Sequence, residues 1–243
     1  MKNNGITTYV PIWRGDPYGD GIHENLKIYF EESGGSFETG SIRYNTNSND
    51  FSANVSALAD KISDLTDKYG KEKVAVVLVG FEETALLVQS ANSHDILHKV
   101  QWFGTNTLTH TNILQNNPLA MELVKDVNFT ALIVKPELTY LGEDVIKYVS
   151  TEICRNASMF ALASYDIPWI YGMSILQTQS DRTADIKPIL EQVVSEYNGT
   201  MGKIVLNKYG DLKSADYTIS TLVDKNWIDI GVYKTNGTLI MYP

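Results

Sequence analysis

The sequence predicts an α/β fold built on a doubly wound, mostly parallel sheet. Three observations predict it. Strand-like and helix-like segments alternate as far as Val134, the pattern of parallel strands joined by crossover helices. One of those strands, Lys73–Val79, is almost continuously apolar, as a strand covered on both faces must be. After Pro136 the alternation gives way to successive helices and then to short alternating runs divided by turn residues.

The elements follow in order. Thr7–Trp13 is rich in β-branched and aromatic residues and reads as a strand. Gly15-Asp16-Pro17 breaks it, and Pro17 suits a first helical turn, where its missing N–H loses nothing. In Tyr18–Glu32, Ile22, Leu26, Tyr29 and Phe30 recur at helical spacing, and Gly34-Gly35 ends the helix. Ile42–Tyr44 is a short strand and Asn45–Asp50 a polar loop. Ser52–Tyr69 is an amphipathic helix with Val55, Leu58, Ile62 and Leu65 on one face. Phe81-Glu82-Glu83 opens a helix expected to run to about Leu97, and Val100–Phe103 and Phe129–Val134 are strands. Glu143–Cys154, Ser158–Gln177 and Ile186–Tyr197 read as helices, with Pro168 expected to kink or start the second. Lys203–Leu206, Tyr217–Val223, Trp227–Tyr233 and Thr238–Tyr242 alternate as strands do. Turns are expected at Tyr209-Gly210-Asp211, Asp224-Lys225-Asn226 and Asn236-Gly237.

Composition excludes several function classes. The 243 residues carry 20 Lys+Arg against 29 Asp+Glu, a formal charge of −9 with no basic cluster. Nucleic acid and anionic membrane surfaces both require concentrated positive charge, so neither is an expected partner. The longest apolar run, Val74–Val79, falls far short of the ~20 residues that span a bilayer. Residues 1–5 carry no apolar signal core, so the chain reads as cytosolic or as a processed or truncated piece of an exported protein. The single Cys154 forms no internal disulfide, and four His with one Cys match no zinc spacing. Sequons at Asn54, Asn128, Asn156, Asn198 and Asn236 are compatible with export but do not establish it.

Catalytic motifs are missing. Gly19 and Gly21 lack the third glycine of a dinucleotide turn, and there is no nucleophile elbow, Walker loop or His-Glu-x-x-His. Arg14-Gly15-Asp16 is read as a strand-to-helix turn rather than an integrin motif. His94 and His98 lie four apart but have no third ligand, and read as solvated helix-end residues. Glu82 and Glu83 are adjacent and diverge on a helix, which argues against an acid/base pair. No enzyme and no cofactor is expected. In open α/β sheets ligands bind beyond the carboxyl ends of the strands. Those ends hold Asp16, Tyr18 and Gly19, then Gly80, Phe81 and Glu82, then Thr105, Asn106 and Thr107. Aromatic rings, small residues and a few polar groups suit a small polar molecule. The plain alternative is that Tyr18 and Phe81 merely cap the sheet.

Several segments, in this order, resemble the type I periplasmic solute-binding proteins, the branched-chain amino acid receptor kind. They are Asp16-Pro17-Tyr18-Gly19, the Val74–Ala91 strand and helix, Gln101-Trp102-Phe103-Gly104, Tyr165-Asp166, Gly199-Thr200-Met201-Gly202 and Gly210-Asp211. The resemblance implies a two-lobed extracytoplasmic receptor that captures a small polar solute, such as an amino acid or amide, between its lobes for an ABC-transporter permease. It implies that residues 6–135 with 203–243 form the second lobe. Residues 136–202 would be a helical part of the first lobe, incomplete here because the chain begins where the second lobe opens. By matching positions it implies Asp16, Tyr18, Gly80, Phe81 and Asn106 as ligand-binding residues. Asn106 departs from the pattern, since amino-acid receptors place a carboxylate there for the ligand ammonium. A sensory or regulatory module on the same fold, and more distantly a Rossmann-like enzyme, are the alternatives. Without the first-lobe sheet, Tyr165, Trp169, Ile170, Met173 and Leu176 are expected to form an exposed patch that favours a homodimer or domain swap.

Overall fold

The computed structural model describes residues 1, 4–36, 41–109, 112–134, 138–155, 157–206, 210, 212, 216–234 and 236–243. The expected boundary at Pro136, the sequon at Asn156, and Tyr209 and Asp211 of one expected turn lie outside them. The chain divides into two compact units. One comprises Met1–Ile133, Thr218–Gly231 and Met241–Pro243; the other comprises Val134–Tyr217 and Val232–Ile240.

The first unit is built on strands β1 (Thr8–Arg14), β2 (Ile42–Tyr44), β3 (Val74–Val79), β4 (Gln101–Gly104) and β5 (Thr130–Val134). These five are ordered β5-β4-β3-β1-β2, and neighbouring strands among them run parallel, with Thr8 opposite Val74 through Trp13 opposite Val79. Side chains alternate across a strand, so one apolar strand serves two cores. Val10 and Ile12 of β1 and Val74, Val76 and Leu78 of β3 join a core completed by helices α2 (Ser52–Tyr69), α3 (Thr84–Ala91) and α4 (Pro118–Asp126). Tyr9 and Trp13 of β1 and Ala75, Val77 and Val79 of β3 join a core on the other face. That core is covered by Phe30, Ile22 and Leu26 of α1 (Pro17–Glu32). Helices therefore cover both faces, which is why β3 is apolar at every position. The sheet continues through β8 (Tyr217–Val223), β9 (Asn226–Tyr233) and β10 (Leu239–Met241) in the order β5-β8-β9-β10.

Two expectations needed correction, and one helix was not expected at all. Tyr29 of α1 is exposed, so the apolar stripe is narrower than its spacing implied. The helix expected from Phe81 to Leu97 stops at Ala91, and a separate 3-10 turn spans Asp95–Lys99; the polar Asn92-Ser93-His94 segment separates them. Helix α4 went unread, although Asn117 caps it by accepting from the Ala120 N–H at 3.1 Å and Pro118 opens it. It has only nine residues, too few for a clear period.

Residues Asp224 and Lys225 join β8 to β9 with φ of 45° and 67°, the paired left-handed geometry of a tight hairpin. Neither is glycine, so each carries a steric penalty of about 1 kcal/mol. Lys225→Gly is expected to raise stability by roughly half of that or more, read by chemical denaturation. A loss of stability would show that the lysine side chain contributes more than its backbone strain removes.

The second unit is organised by a buried aspartate. It contains α5 (Tyr140–Glu152), α6 (Met159–Thr178), α7 (Thr183–Glu196) and the short pair β6 (Asn198–Gly199) and β7 (Gly202–Lys203). Along α6, Leu162, Asp166, Ile170 and Ser174 are buried at a spacing of four, one stripe facing inward. Pro168 lies inside α6 and does not start it. The Asp166 carboxylate accepts from the Thr200 N–H at 3.0 Å, the Thr200 hydroxyl at 2.7 Å and the Tyr197 hydroxyl at 2.9 Å. A side chain on Gly199 would approach Asp166 Oδ2 to 2.5 Å, so the turn requires glycine there. The same turn receives the start of α5, where Thr139 donates from its hydroxyl to the Gly199 carbonyl at 2.8 Å and from its N–H to the Thr200 carbonyl at 3.1 Å. Ile170 is buried with Val193 and Val194 of α7, which removes it from the expected exposed patch; Trp169, Met173 and Leu176 are exposed and Tyr165 is half-buried.

Candidate functional site

The strand order reverses direction between β1 and β3: β2 lies to one side of β1, whereas β3, β4 and β5 run on from the other. Crossover helices leave such neighbouring strands in opposite directions, and a crevice opens beyond their carboxyl ends. The residues there are Arg14 at the end of β1 with Gly15–Tyr18 after it, and Gly80–Glu83 after β3.

Each is placed by local chemistry. Asp16 caps α1, its Oδ1 accepting from the Gly19 N–H at 2.9 Å, while Pro17 begins the helix. Its Oδ2 takes the Arg14 Nε–H at 2.6 Å. Partial burial works to raise the Asp16 pKa, but the Gly19 N–H and the Arg14 guanidinium together hold it below the usual carboxylate value. Arg14 also donates from Nη1 to Glu83 Oε1 at 3.0 Å, and its guanidinium carbon lies 3.9 Å from the centre of the Phe81 ring. Glu83 Oε1 receives the Tyr44 hydroxyl at 2.9 Å and the Phe81 N–H at 3.3 Å as well. Burial first, and then the Glu83 charge, push the Tyr44 phenol well above its ordinary pKa, so it stays protonated and donating.

Tyr18 stacks on Phe81, with ring centres 4.9 Å apart and planes at 27°. The Tyr18 hydroxyl is enclosed and has no hydrogen-bond partner among the described residues. Gly80 is buried, and a side chain there would collide with the Tyr44 hydroxyl and lie 2.5 Å from Thr84 Cγ2. Its carbonyl accepts from the Thr107 hydroxyl at 2.6 Å, and Thr107 pairs with the Thr105 hydroxyl at 2.8 Å. Asn106 opens the 3-10 turn Asn106–Leu108 after β4, its carbonyl taking the Thr109 hydroxyl at 2.7 Å.

The structure thus brings Tyr18 and Phe81 into contact and joins Gly80 to the β4 turn that carries Asn106. Asp16 is engaged by Arg14 and by the start of α1. Sequence reasoning missed Arg14, Glu83 and Tyr44. Arg14 was set aside with the Arg-Gly-Asp tripeptide, and Glu83 because its carboxylate diverges from that of Glu82. The available signal was a charged residue at the carboxyl end of each of two apolar strands.

A second depression lies at the opposite end of this sheet, beside the amino end of β4. It is lined by Asn92, Asp95, His98, Lys99, Glu122, Lys125 and Asp126. His98 bridges the Asp126 carboxylate at 2.7 Å and the Asn92 carbonyl at 3.0 Å, a role beyond the solvated helix end expected of it. Among the described residues no three His, Cys, Asp or Glu side chains converge as metal ligands. Burial pulls the His98 pKa down, but the Asn92 carbonyl and the Asp126 carboxylate outweigh it, so the pKa lies above the ordinary 6.5. A raised folded-state pKa stabilises the fold fully below the unfolded value and loses that contribution as pH rises through the folded one. The fold is therefore expected to lose stability through this group as pH rises above the ordinary 6.5. His98→Gln should flatten that part of the profile in denaturant titrations, and an unchanged slope would refute the assignment.

Among the described residues no helix is long and apolar enough to cross a membrane. The sequence model of the receptor family ligand binding region matches residues 4–225. The chain belongs to that receptor family. As a receptor-family ligand-binding chain it is a binding protein and not an enzyme, and its mostly parallel α/β fold is that of the type I periplasmic binding proteins. It is 25% identical over 252 aligned positions to the uncharacterized protein MJ1266 of Methanocaldococcus jannaschii, covering 98% of this chain and 58% of that one. The leucine binding protein LivK of Thermotoga maritima shares its fold with a TM-score of 0.69 at 16% identity, over 98% of this chain and 63% of LivK. An ABC-transporter solute binding protein of R. palustris, solved with benzoate, gives 0.69 at 10% identity, over 100% and 62%. The receptor-family chain thus spans roughly three-fifths of the length of these relatives.

Proposed function

We propose that this receptor-family chain is part of an extracytoplasmic solute-binding receptor that delivers a small polar solute, an amino acid, an amide or a related compound, to an ABC-transporter permease. The observation that carries the reading is the pair of stacked rings, Tyr18 and Phe81, at the point where the strand order reverses, in a chain whose family is one of ligand-binding regions. Asp16, Tyr18, Gly80, Phe81 and Asn106 form the contact surface in this reading. Residues 6–135 with 203–243 are assigned to one lobe of the receptor and 136–202 to the other. The fold neighbours named for leucine and benzoate support a small solute, and the benzoate-bound one, named as an ABC-transporter solute binding protein, supports the permease partner of this reading.

Phe81 is 37% exposed, so a solute resting on it stays partly hydrated, and hydrogen bonds to a wet ligand add little net energy. Affinity of the 243-residue chain is therefore expected at about the millimolar level, around −4 kcal/mol. Protein-observed NMR titration with leucine, benzoate and small amides tests the reading. Saturable shifts at Tyr18 and Phe81 are the expected result; shifts confined to other residues would overturn it, and micromolar affinity would overturn the argument from exposure.

The reading includes self-association of the chain through α6, which presents Trp169, Tyr171, Met173 and Leu176 to solvent. Sedimentation equilibrium is expected to show reversible dimerisation that weakens in Trp169→Ser. A monomer at about 100 μM, where contacts worth roughly 5–6 kcal/mol already show, would contradict it.

A further inference from the structure

The solute-binding reading leaves open which part of the solute this edge receives, and the charges at the edge narrow it. Arg14 is a partly buried cation there, and its Nε and Nη1 both go to carboxylates, Asp16 and Glu83. Glu83 Oε1 in turn receives three donors from three places: Arg14 of β1, Tyr44 of β2 and the Phe81 backbone. Outside this group, Arg43 holds Asp20 through two bonds of 2.8 and 2.9 Å. Glu82 is exposed, where water and salt screen it. The position after β4 carries an amide, Asn106. What remains for a solute is the Tyr18–Phe81 pair and neutral hydrogen-bonding groups.

We propose that this edge takes the uncharged ring- or hydrocarbon-bearing end of the solute, and that Arg14 and Glu83 are positioning residues which hold Phe81 in place and do not bind the solute's charge. The inference rests on the solute-binding reading. Its physical basis is that a guanidinium already paired with two carboxylates and lying on a ring gains little by exchanging a partner for a ligand carboxylate. A carboxylate oxygen with three donors likewise has little capacity left for an ammonium. Arg14, Asp16 and Glu83 together stay one negative charge from neutral, which makes a cationic probe the stringent comparison.

The test uses three probes that share one ring and differ in charge: benzamide, benzoate and benzylamine. Each is titrated into the 243-residue chain, followed through the aromatic resonances of Tyr18 and Phe81. The expected result is that the three dissociation constants agree within about fivefold, a spread of about 1 kcal/mol. Arg14→Met should then weaken all three alike, and Arg14→Lys should recover part of the loss for all three. A larger preference for benzoate, lost selectively in Arg14→Met, would make Arg14 an anion-binding residue and overturn the proposal. A larger preference for benzylamine, lost in Glu82→Gln or Glu83→Gln, would overturn it from the other side. The wild-type ratios decide the matter even if Arg14→Met fails to fold. Any of these preferences at Tyr18 and Phe81 leaves the solute-binding reading intact, whereas no response there to any probe removes both.

Discussion

Asp166→Ala is expected to destabilise the second unit by about 3–5 kcal/mol, enough to unfold it near room temperature while the first unit keeps its parallel sheet. The carboxylate is 1% exposed and is the acceptor for the Thr200 N–H and the Tyr197 hydroxyl. Alanine leaves both donors without that acceptor, and a buried unsatisfied group costs roughly 1–3 kcal/mol. The Thr200 hydroxyl keeps a second acceptor, the Leu162 carbonyl at 3.2 Å, so its loss is smaller. The same turn anchors the start of α5 through Thr139, so the damage should spread from α6 to α5. Asp166→Asn keeps the shape but turns an amide N–H₂ toward donors, and should cost about 1.5–3 kcal/mol. Hydrogen exchange resolved by residue is the measurement. Protection in α6 and α7 should collapse while that in β1 and β3 persists, and a loss under 1 kcal/mol would show that water takes over the carboxylate's role. Tyr197 adds a pH signature. Burial, followed by Asp166, raises its phenol pKa above the ordinary 10, so its share of the stability is complete below pH 10 and is lost as pH rises beyond it.

Tyr18→Ala is expected to weaken capture of all three ring probes by about tenfold, or ~1.4 kcal/mol, because it removes the ring stacked on Phe81 and frees Phe81 to move. Asn106→Asp should weaken benzoate and leave benzamide nearly unchanged. It adds a carboxylate to an edge that already holds Asp16 and Glu83, and like charge raises the free energy of an anionic guest there. If the solute's ammonium sat at Asn106, the same substitution would tighten leucine and benzylamine through a charge-assisted pair. Titrations of wild type and both variants separate these outcomes. Unchanged affinity in Tyr18→Ala would move the binding surface away from the β1–β3 crevice.

Much of the site was legible because its parts are local. Gly15-Asp16-Pro17 is a strand stop, a helix cap and a first-turn proline in consecutive positions, and each works within three or four residues. The apolar β3 announces a strand covered on both faces, and the residues after it must therefore lie at a sheet edge. Arg14, Glu83 and Tyr44 escaped notice because their pairing spans 69 residues in one case and 39 in the other, and no spacing rule links such positions. Asp166 and Thr200, 34 apart, were quoted as separate motifs, and only folding shows them to be one clasp.

The sequence by itself determined the alternation of strands and helices, the two-faced burial of β3, the Asp16–Pro17 helix start and the acidic, motif-poor character of the chain. Those properties are set by side-chain periodicity and by hydrogen bonds within one turn of chain. Tertiary structure alone decided the strand order that reverses between β1 and β3, the stacking of Tyr18 on Phe81, and the internal neutralisation of Arg14 by Asp16 and Glu83. Which strands become neighbours depends on how the helices pack on the two faces of the sheet. A charge at a strand end is free or already paired according to its neighbour across that sheet, and the neighbour is fixed only when the whole sheet assembles.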